Sequence, residues 1–146
     1  MKITVFGAGY VGLVTSTCLA EMGNLVTCID NDKKKINDLN ELNVPVFEPG
    51  LSELISSNLN RRLYFKSDIE PGLNDCNIIF LAVGTPQDKN GDPVLNNLFS
   101  VANDIGEYVN NNCIVVQKST APVGTCYKIK SIINDKLKSR NLDFDI

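Results

Sequence analysis

The sequence predicts an α/β fold in which helices cover both faces of a doubly wound parallel sheet. Two observations predict it. Short runs rich in valine and isoleucine alternate with helix-length segments along the whole chain, and this alternation is typical of parallel strands joined by crossover helices. The composition is that of one domain with its own core, since 43% of the 146 residues are hydrophobic and 21% are charged.

Five strands are indicated by short apolar runs bounded by Gly, Asn, Asp or Pro. They are predicted at residues 3–6, 25–29, 63–66, 78–83 and 114–117. Continuous apolar runs are expected where a strand is buried on both faces, although the run at 63–66 is weaker than the others. The last residues, 143–146, alternate polar and apolar side chains and are expected to begin a sixth strand, at which the chain stops.

Helices are predicted between these strands, at residues 10–22, 33–42, 51–59, 96–109 and 125–139. Because βαβ crossovers are right-handed, these helices are expected on both faces of the sheet. In the last helix an apolar stripe recurs at helical spacing. It consists of Tyr127, Ile129, Ile132, Ile133 and Leu137. The lysines between these positions are interpreted as a solvated outer face rather than a binding patch.

The composition argues against several classes of function. The net charge of −3 gives no support to a nucleic-acid partner, and no run approaches the ~20 apolar residues of a membrane span. There is no histidine, so His-based catalysis and His-ligated metal sites are not expected, and no metal site is predicted. The five cysteines form no C-x-x-C pair and each lies in or beside an apolar segment. They are expected to be buried and reduced, which predicts a cytoplasmic location.

The strongest local signal is the sequence Gly7-Ala8-Gly9-Tyr10-Val11-Gly12. It follows the first predicted strand and opens the first helix, which is the context that a G-x-G-x-x-G motif requires. The first glycine permits a tight turn, the second lets the backbone approach a pyrophosphate, and the third lets the helix lie close to the strand. Unpaired N–H groups at the helix N-terminus favour an anion there. The motif predicts a Rossmann-type dinucleotide site.

Asp30 supplies the second half of this signal. It ends the second strand, 18 residues after Gly12, close to the roughly 20 expected for the acid that binds an adenosine ribose. On its own, Asp30 could instead be a turn or cap residue. Repulsion between its carboxylate and a 2′-phosphate, ~1 to ~4 kcal/mol at 4 Å, favours NAD over NADP. The positive charges of Lys33, Lys34 and Lys35 could offset part of this repulsion. For Lys33 and Lys34, however, the preferred interpretation is that they lie in the solvated first turn of a helix capped by Asp32.

Two other strand ends carry small and hydroxyl-bearing residues. The fourth strand continues into Val83-Gly84-Thr85-Pro86, and the fifth into Lys118-Ser119-Thr120 followed by Pro122 and Gly124. In an open α/β sheet the ligand lies in the crevice at the carboxyl ends of the strands, so both segments are expected at the nucleotide site. The alternative for each is an ordinary turn from a strand into a loop.

In this order, the motifs resemble the N-terminal domain of the UDP-glucose/GDP-mannose dehydrogenase family. The matching segments are Gly7–Gly12, Asp30 with Lys35, Glu48-Pro49-Gly50-Leu51, Val83-Gly84-Thr85-Pro86, and Ser119-Thr120 with Pro122-Val123-Gly124-Thr125. They cover nearly the whole chain, and one small departure is Ala121, where the family usually has valine. The resemblance implies that Val11 and its loop contact the pyrophosphate, and that Asp30 and Lys35 contact the adenosine ribose. Thr85 and Thr120 would line the path to the nicotinamide.

The resemblance also implies an activity for the whole protein. The family oxidises the C6 hydroxyl of a nucleotide-linked sugar to a carboxylate, with two NAD per turnover and a thioester on a catalytic cysteine. None of the five cysteines here matches that motif, so no catalytic residue is assigned. Residues 1–146 are expected to be an NAD-binding domain, inactive alone. The dimerisation and sugar-nucleotide domains are expected to be absent, so a UDP-sugar would bind only through the missing part of a homo-oligomeric protein.

Three alternatives remain open on the residues alone. A GDP-mannose or UDP-N-acetyl-sugar dehydrogenase would share these motifs, and the closest resemblance is to the members that oxidise UDP-glucose. A stand-alone NAD-sensing regulatory domain would share the glycine turn and the acidic strand end, but it is not expected to carry both hydroxyl-bearing segments. An S-adenosylmethionine methyltransferase does not normally require the third glycine, Gly12.

Overall fold

The computed structural model describes residues 1–137, 140 and 142–146. Its strands are β1 (Lys2–Phe6), β2 (Leu25–Ile29), β3 (Leu63–Lys66), β4 (Ile78–Leu81), β5 (Cys113–Gln117) and β6 (Phe144–Asp145). Its helices are α1 (Tyr10–Glu21), α2 (Lys33–Asn40), α3 (Leu51–Asn58), α4 (Glu70–Leu73), α5 (Asn96–Tyr108) and α6 (Thr125–Leu137). Within this described part, no helix combines the length and the apolar character needed to cross a bilayer.

The six strands form one parallel sheet in the order β3-β2-β1-β4-β5-β6. Each face carries its own hydrophobic core. Helices α1, α2 and α3 pack with Ile3 and Val5 of β1 on one face, whereas α4, α5 and α6 pack with Phe6 of β1 on the other. Successive side chains of a strand point to opposite faces, so β1 contributes to both cores. The predicted doubly wound sheet is confirmed.

The predicted elements agree with the structure except in detail. The expected sixth strand is present as β6, which pairs with β5. Strand β4 ends at Leu81 rather than at residue 83, because its neighbour β1 ends at Phe6, opposite Leu81. Beyond this point the carbonyl of Val83 accepts a hydrogen bond from the Ser119 hydroxyl, at 2.7 Å. Helix α4 was not predicted, since its four residues are too few to show a periodicity. The last two residues of the predicted helix 125–139 lie outside the described residues.

Two expectations about burial are wrong. Cys28, Cys76 and Cys113 are buried, but Cys18 and Cys126 are exposed, because each lies beside the inward stripe of its helix rather than on it. Tyr127 is also exposed, at 82%. The buried stripe of α6 recurs every fourth residue at Thr125, Ile129, Ile133 and Leu137. Adjacency to apolar residues therefore does not by itself place a side chain in the core.

Candidate coenzyme site

A cleft of about 460 Å³ lies at the carboxyl ends of the central strands. It opens where the strand order reverses, between β1 and β4, which is the position at which open α/β sheets bind ligands. The residues that line it come from β1 and β2, from the segments that follow β1 to β4, and from α2 and α5. They are Phe6, Gly7, Gly9, Ile29, Asp30, Asn31, Lys35, Ser67, Ile69, Ala82, Val83, Gly84, Asn97, Ser100, Val101 and Asp104.

The turn between β1 and α1 requires glycine at its first and third motif positions for reasons of packing. Gly7 has φ +100°, and a Cβ atom there would lie 2.5 Å from the carbonyl oxygen of Ala82. A Cβ atom on Gly12 would overlap the carbonyl oxygen of Gly7. These two glycines therefore let the turn, α1 and the segment after β4 pack closely together, whatever the cleft binds.

Gly9 differs from both. It is the N-cap of α1, with φ −75°, and a Cβ atom built on it would meet no atom within 4 Å. No side chain caps α1, and within the described residues no backbone acceptor pairs with the N–H groups of residues 9–12. The protein itself thus leaves open space and unpaired donors at a positive helix terminus. Both features fit the diphosphate of a dinucleotide.

Asp30 forms the next part of the cleft wall, and its side chain is only 10% exposed. Its Oδ2 accepts hydrogen bonds from the Ala8 N–H at 2.8 Å and from the Lys35 ammonium at 3.0 Å. Its Oδ1 accepts one from the Asp32 N–H at 3.0 Å. A carboxylate has about four acceptor positions, so one remains for a ligand hydroxyl. Asp30 is thereby held in place by the same turn that opens α1.

The pKa of Asp30 is set by opposing effects. Burial alone would raise it, but the hydrogen bonds from the N–H groups of Asp32 and Ala8, and then the ammonium of Lys35, lower the pKa below its ordinary value of 3.8. Donors that stabilise the charged form outweigh the cost of desolvation here. Asp30 is therefore a carboxylate at neutral pH, able to accept hydrogen bonds and unable to donate one.

The three consecutive lysines do not act alike. Lys35 forms an ion pair with Asp30 and lines the cleft. Lys34 pairs instead with Asp38 one helical turn later, at 2.6 Å. Asp32 caps α2 by accepting a hydrogen bond from the Lys35 N–H, as predicted. Of the lysines that could offset repulsion of a 2′-phosphate, only Lys35 lines the cleft.

Tyr10 and Val11 lie at the exposed start of α1, at 53% and 47% exposure. Neither lines the cleft as it stands. The Tyr10 hydroxyl donates a hydrogen bond to Glu48, and this contact, followed by the charge of Glu48, raises the pKa of the phenol. The contact joins the glycine turn to the Glu48-Pro49-Gly50-Leu51 segment.

The remaining predicted residues divide into two groups. Val83 and Gly84 line the cleft, whereas Thr85, Pro86, Ser119 and Thr120 lie outside it. Thr85 donates a hydrogen bond to the carbonyl oxygen of Thr120 at 2.9 Å, and the two hydroxyl oxygens are 3.2 Å apart. Hydrogen bonds from Ser119 to the carbonyl oxygens of Leu81 and Val83 join the same two strand ends. These side chains stabilise the ends of β4 and β5 next to the cleft.

The sequence interpretation missed the opposite wall of the cleft. Ser67 and Ile69 follow β3, and Asn97, Ser100, Val101 and Asp104 lie on α5. Ser67 directly follows a strand end, so the rule applied to the other strands would have found it. The α5 residues share one helix face, but only the tertiary structure shows that this face borders the cleft.

The comparisons of this chain with known proteins agree on one family. The sequence model of the "UDP-glucose/GDP-mannose dehydrogenase family, NAD binding domain" matches residues 1–146. The UDP-glucose 6-dehydrogenase TuaD of Bacillus subtilis is 44% identical over 99% of this chain and 32% of its own length. The UDP-glucose 6-dehydrogenase of Pseudomonas aeruginosa is 41% identical over 100% and 32%. The chain thus spans about a third of the length of these curated relatives.

Solved structures agree with this result. A GDP-mannose dehydrogenase from Pseudomonas aeruginosa, in a ternary complex, superposes with a TM-score of 0.91 at 31% identity, over 99% of this chain and 35% of its own. A UDP-glucose dehydrogenase from the archaeon Pyrobaculum islandicum superposes with a TM-score of 0.86 at 28% identity, over 97% and 34%. Both proteins are named as dehydrogenases of nucleotide sugars, and the named substrates differ in both the nucleotide and the sugar.

Proposed function

Because the chain belongs to the UDP-glucose/GDP-mannose dehydrogenase family as its NAD-binding domain, we propose that NAD lies along the described cleft, with its diphosphate at Gly9 and its adenosine ribose at Asp30. The observation that carries this proposal is the contrast among the three glycines. Packing accounts for Gly7 and Gly12, whereas the space beside Gly9 is empty and faces unpaired N–H groups. A diphosphate fills that space and pairs with those donors.

The residues of the cleft have distinct tasks in this proposal. The N–H groups that open α1 hold the diphosphate, and the Asp30 carboxylate accepts a hydrogen bond from a ribose hydroxyl at its remaining acceptor position. Lys35 and the Ala8 N–H keep that carboxylate oriented. Thr85 and Thr120 border the path to the nicotinamide, which accepts a hydride when NAD is bound.

For the whole protein we propose the oxidation of UDP-glucose at C6 to UDP-glucuronate, with two NAD per turnover. Support comes from the curated relatives named as UDP-glucose 6-dehydrogenases, at 41–46% identity. The solved GDP-mannose dehydrogenase makes GDP-mannose the second candidate substrate. The catalytic cysteine and the sugar-nucleotide contacts are assigned to residues outside this chain, which is expected to bind NAD without turning it over.

The proposal also covers the cellular location and the oligomeric state of the whole protein. All five cysteines are free in the structure, as expected of a protein in a reducing compartment. We therefore propose a cytoplasmic homo-oligomer that supplies a uronic-acid nucleotide for polysaccharide synthesis.

Calorimetric titration with NAD and NADP tests the coenzyme proposal. NAD is expected to bind at least about fivefold more tightly, since a 2′-phosphate near the Asp30 carboxylate costs ~1 to ~4 kcal/mol. Asp30→Asn should weaken NAD binding by roughly tenfold or more, through loss of a charge-assisted hydrogen bond, and should narrow the gap to NADP.

Asp75→Asn is the matched control, because it removes the same charge from an exposed ion pair with Lys2 at the other end of β1. It should leave both affinities unchanged. Failure of NAD to bind at millimolar concentration, or an unchanged coenzyme preference in Asp30→Asn, would contradict the assignment of the ribose to this carboxylate.

A further inference from the structure

The wall of the cleft formed by α5 has no task in the function proposed so far. Asn97, Ser100, Val101 and Asp104 occupy positions i, i+3, i+4 and i+7 of this helix, and all four line the cleft. Ser67 and Ile69 line it from the segment after β3. The wall belongs to the same cleft as Asp30, but it lies on elements other than the glycine turn.

The order of groups along a bound NAD determines what this wall would meet. With the diphosphate at Gly9 and the adenosine ribose at Asp30, the adenine extends beyond Asp30. The cleft is lined by apolar side chains from three elements that could border it, namely Ile29 of β2, Ile69 after β3 and Val101 of α5. A flat aromatic base fits between apolar walls of this kind, and polar groups at their edge fix its orientation.

Asp104 is the charged residue of the α5 wall, three residues after Val101 on the same helix face. It is partly buried, and within the described residues its carboxylate has neither an ion-pair partner nor a side-chain hydrogen-bond donor. Burial, and then the nearby charge of Glu107, raise its pKa above the ordinary value. A ligand that covered this carboxylate without donating to it would leave a desolvated acceptor unpaired, which is costly.

Adenine offers the matching donor at one position only. Its exocyclic amino group at C6 donates two hydrogen bonds, whereas hypoxanthine carries a carbonyl acceptor at that position. We propose that Asp104 accepts a hydrogen bond from this amino group and so selects adenine over 6-oxopurine bases in the coenzyme. This inference rests on the proposed placement of NAD in the cleft.

The test compares NAD with nicotinamide hypoxanthine dinucleotide, whose base has a carbonyl in place of the amino group at C6 and a hydrogen on N1. Calorimetric titration of the wild-type domain should give roughly tenfold to hundredfold tighter binding of NAD, the range expected for one hydrogen bond to a charged group. In Asp104→Asn the two affinities should come within about threefold, because the amide can rotate to donate to the carbonyl of hypoxanthine.

Glu107→Gln is the matched control. It removes the same charge from an exposed position on α5 that does not line the cleft, and it should keep the wild-type preference. Equal binding of the two dinucleotides by the wild-type domain would overturn the role of Asp104 and leave the coenzyme site intact. Binding of neither would overturn the proposed function as well. Because equal binding by the wild-type domain is enough to overturn the role of Asp104, the proposal stays testable even if Asp104→Asn fails to fold.

Discussion

At the scale of single residues, Asp30 joins ligand recognition to the stability of the free domain. Its carboxylate is largely buried and accepts hydrogen bonds from Ala8, Asp32 and Lys35 before any ligand arrives. The side chain that contacts the ribose in our proposal therefore also fixes the glycine turn to the start of α2. Substitution of Asp30 should therefore change the free energy of unfolding as well as the affinity for the ligand.

Asp30→Asn should lower the free energy of unfolding by about 1–3 kcal/mol at pH 7, the cost of leaving buried donors without a charged acceptor. The pKa of Asp30 is lowered in the folded state from 3.8. Its contribution is therefore complete above that pH and is lost as pH falls through the folded-state pKa. Urea unfolding of both proteins at pH 7 and below pH 4 measures this dependence. A difference that persists unchanged at the lowest pH would show that the charge of Asp30 does not stabilise the fold.

At the scale of elements, the unit that matters is the turn from β1 into α1. Its three glycines look equivalent as a motif, but their surroundings differ. Gly7 and Gly12 contact backbone atoms, whereas Gly9 faces open space. The sequence indicated the turn, the helix start and the acidic residue after β2 because these depend on local spacing. Only the packing separates the glycines needed for folding from the glycine that our proposal places at the diphosphate.

Two single substitutions separate these roles. Gly12→Ala places a methyl group against the Gly7 carbonyl and should cost about 1–3 kcal/mol of stability, as overpacking typically does. Gly9→Ala meets no atom within 4 Å, so it should cost less than about 1 kcal/mol, as expected for an N-cap change. It should nevertheless weaken NAD binding by roughly tenfold or more. Urea unfolding and calorimetry measure the two quantities. Wild-type NAD affinity in Gly9→Ala would remove the diphosphate from this turn.

At the scale of the whole molecule, the fold was predictable because each strand and helix carries a local pattern. The alternation of elements predicted both faces and the start of β6. It could not predict α4, which is too short, nor the α5 wall of the cleft with Asp104, which depends on how α5 packs across the sheet. The exposure of Cys18, Cys126 and Tyr127 likewise depends on which face of each helix packs against the sheet, and composition does not specify that face. Features that depend on the local sequence pattern could be predicted, whereas features that depend on packing between elements could not.

The distribution of contacts along the cleft gives a last prediction for the molecule as a whole. In our proposal Gly9, Asp30 and the α5 wall surround the adenosine diphosphate part of a bound NAD, whereas the Thr85 and Thr120 side chains lie outside the cleft with their hydroxyl oxygens 3.2 Å apart. ADP-ribose should therefore stabilise the domain nearly as much as NAD, and nicotinamide mononucleotide should have little effect. With every ligand at one common concentration, one hundred times the Kd of NAD, NAD adds about 2.7 kcal/mol, which raises Tm by roughly 5–11 °C. Thermal unfolding with each ligand tests this; an equal shift from the mononucleotide would place the anchoring contacts at the nicotinamide end instead.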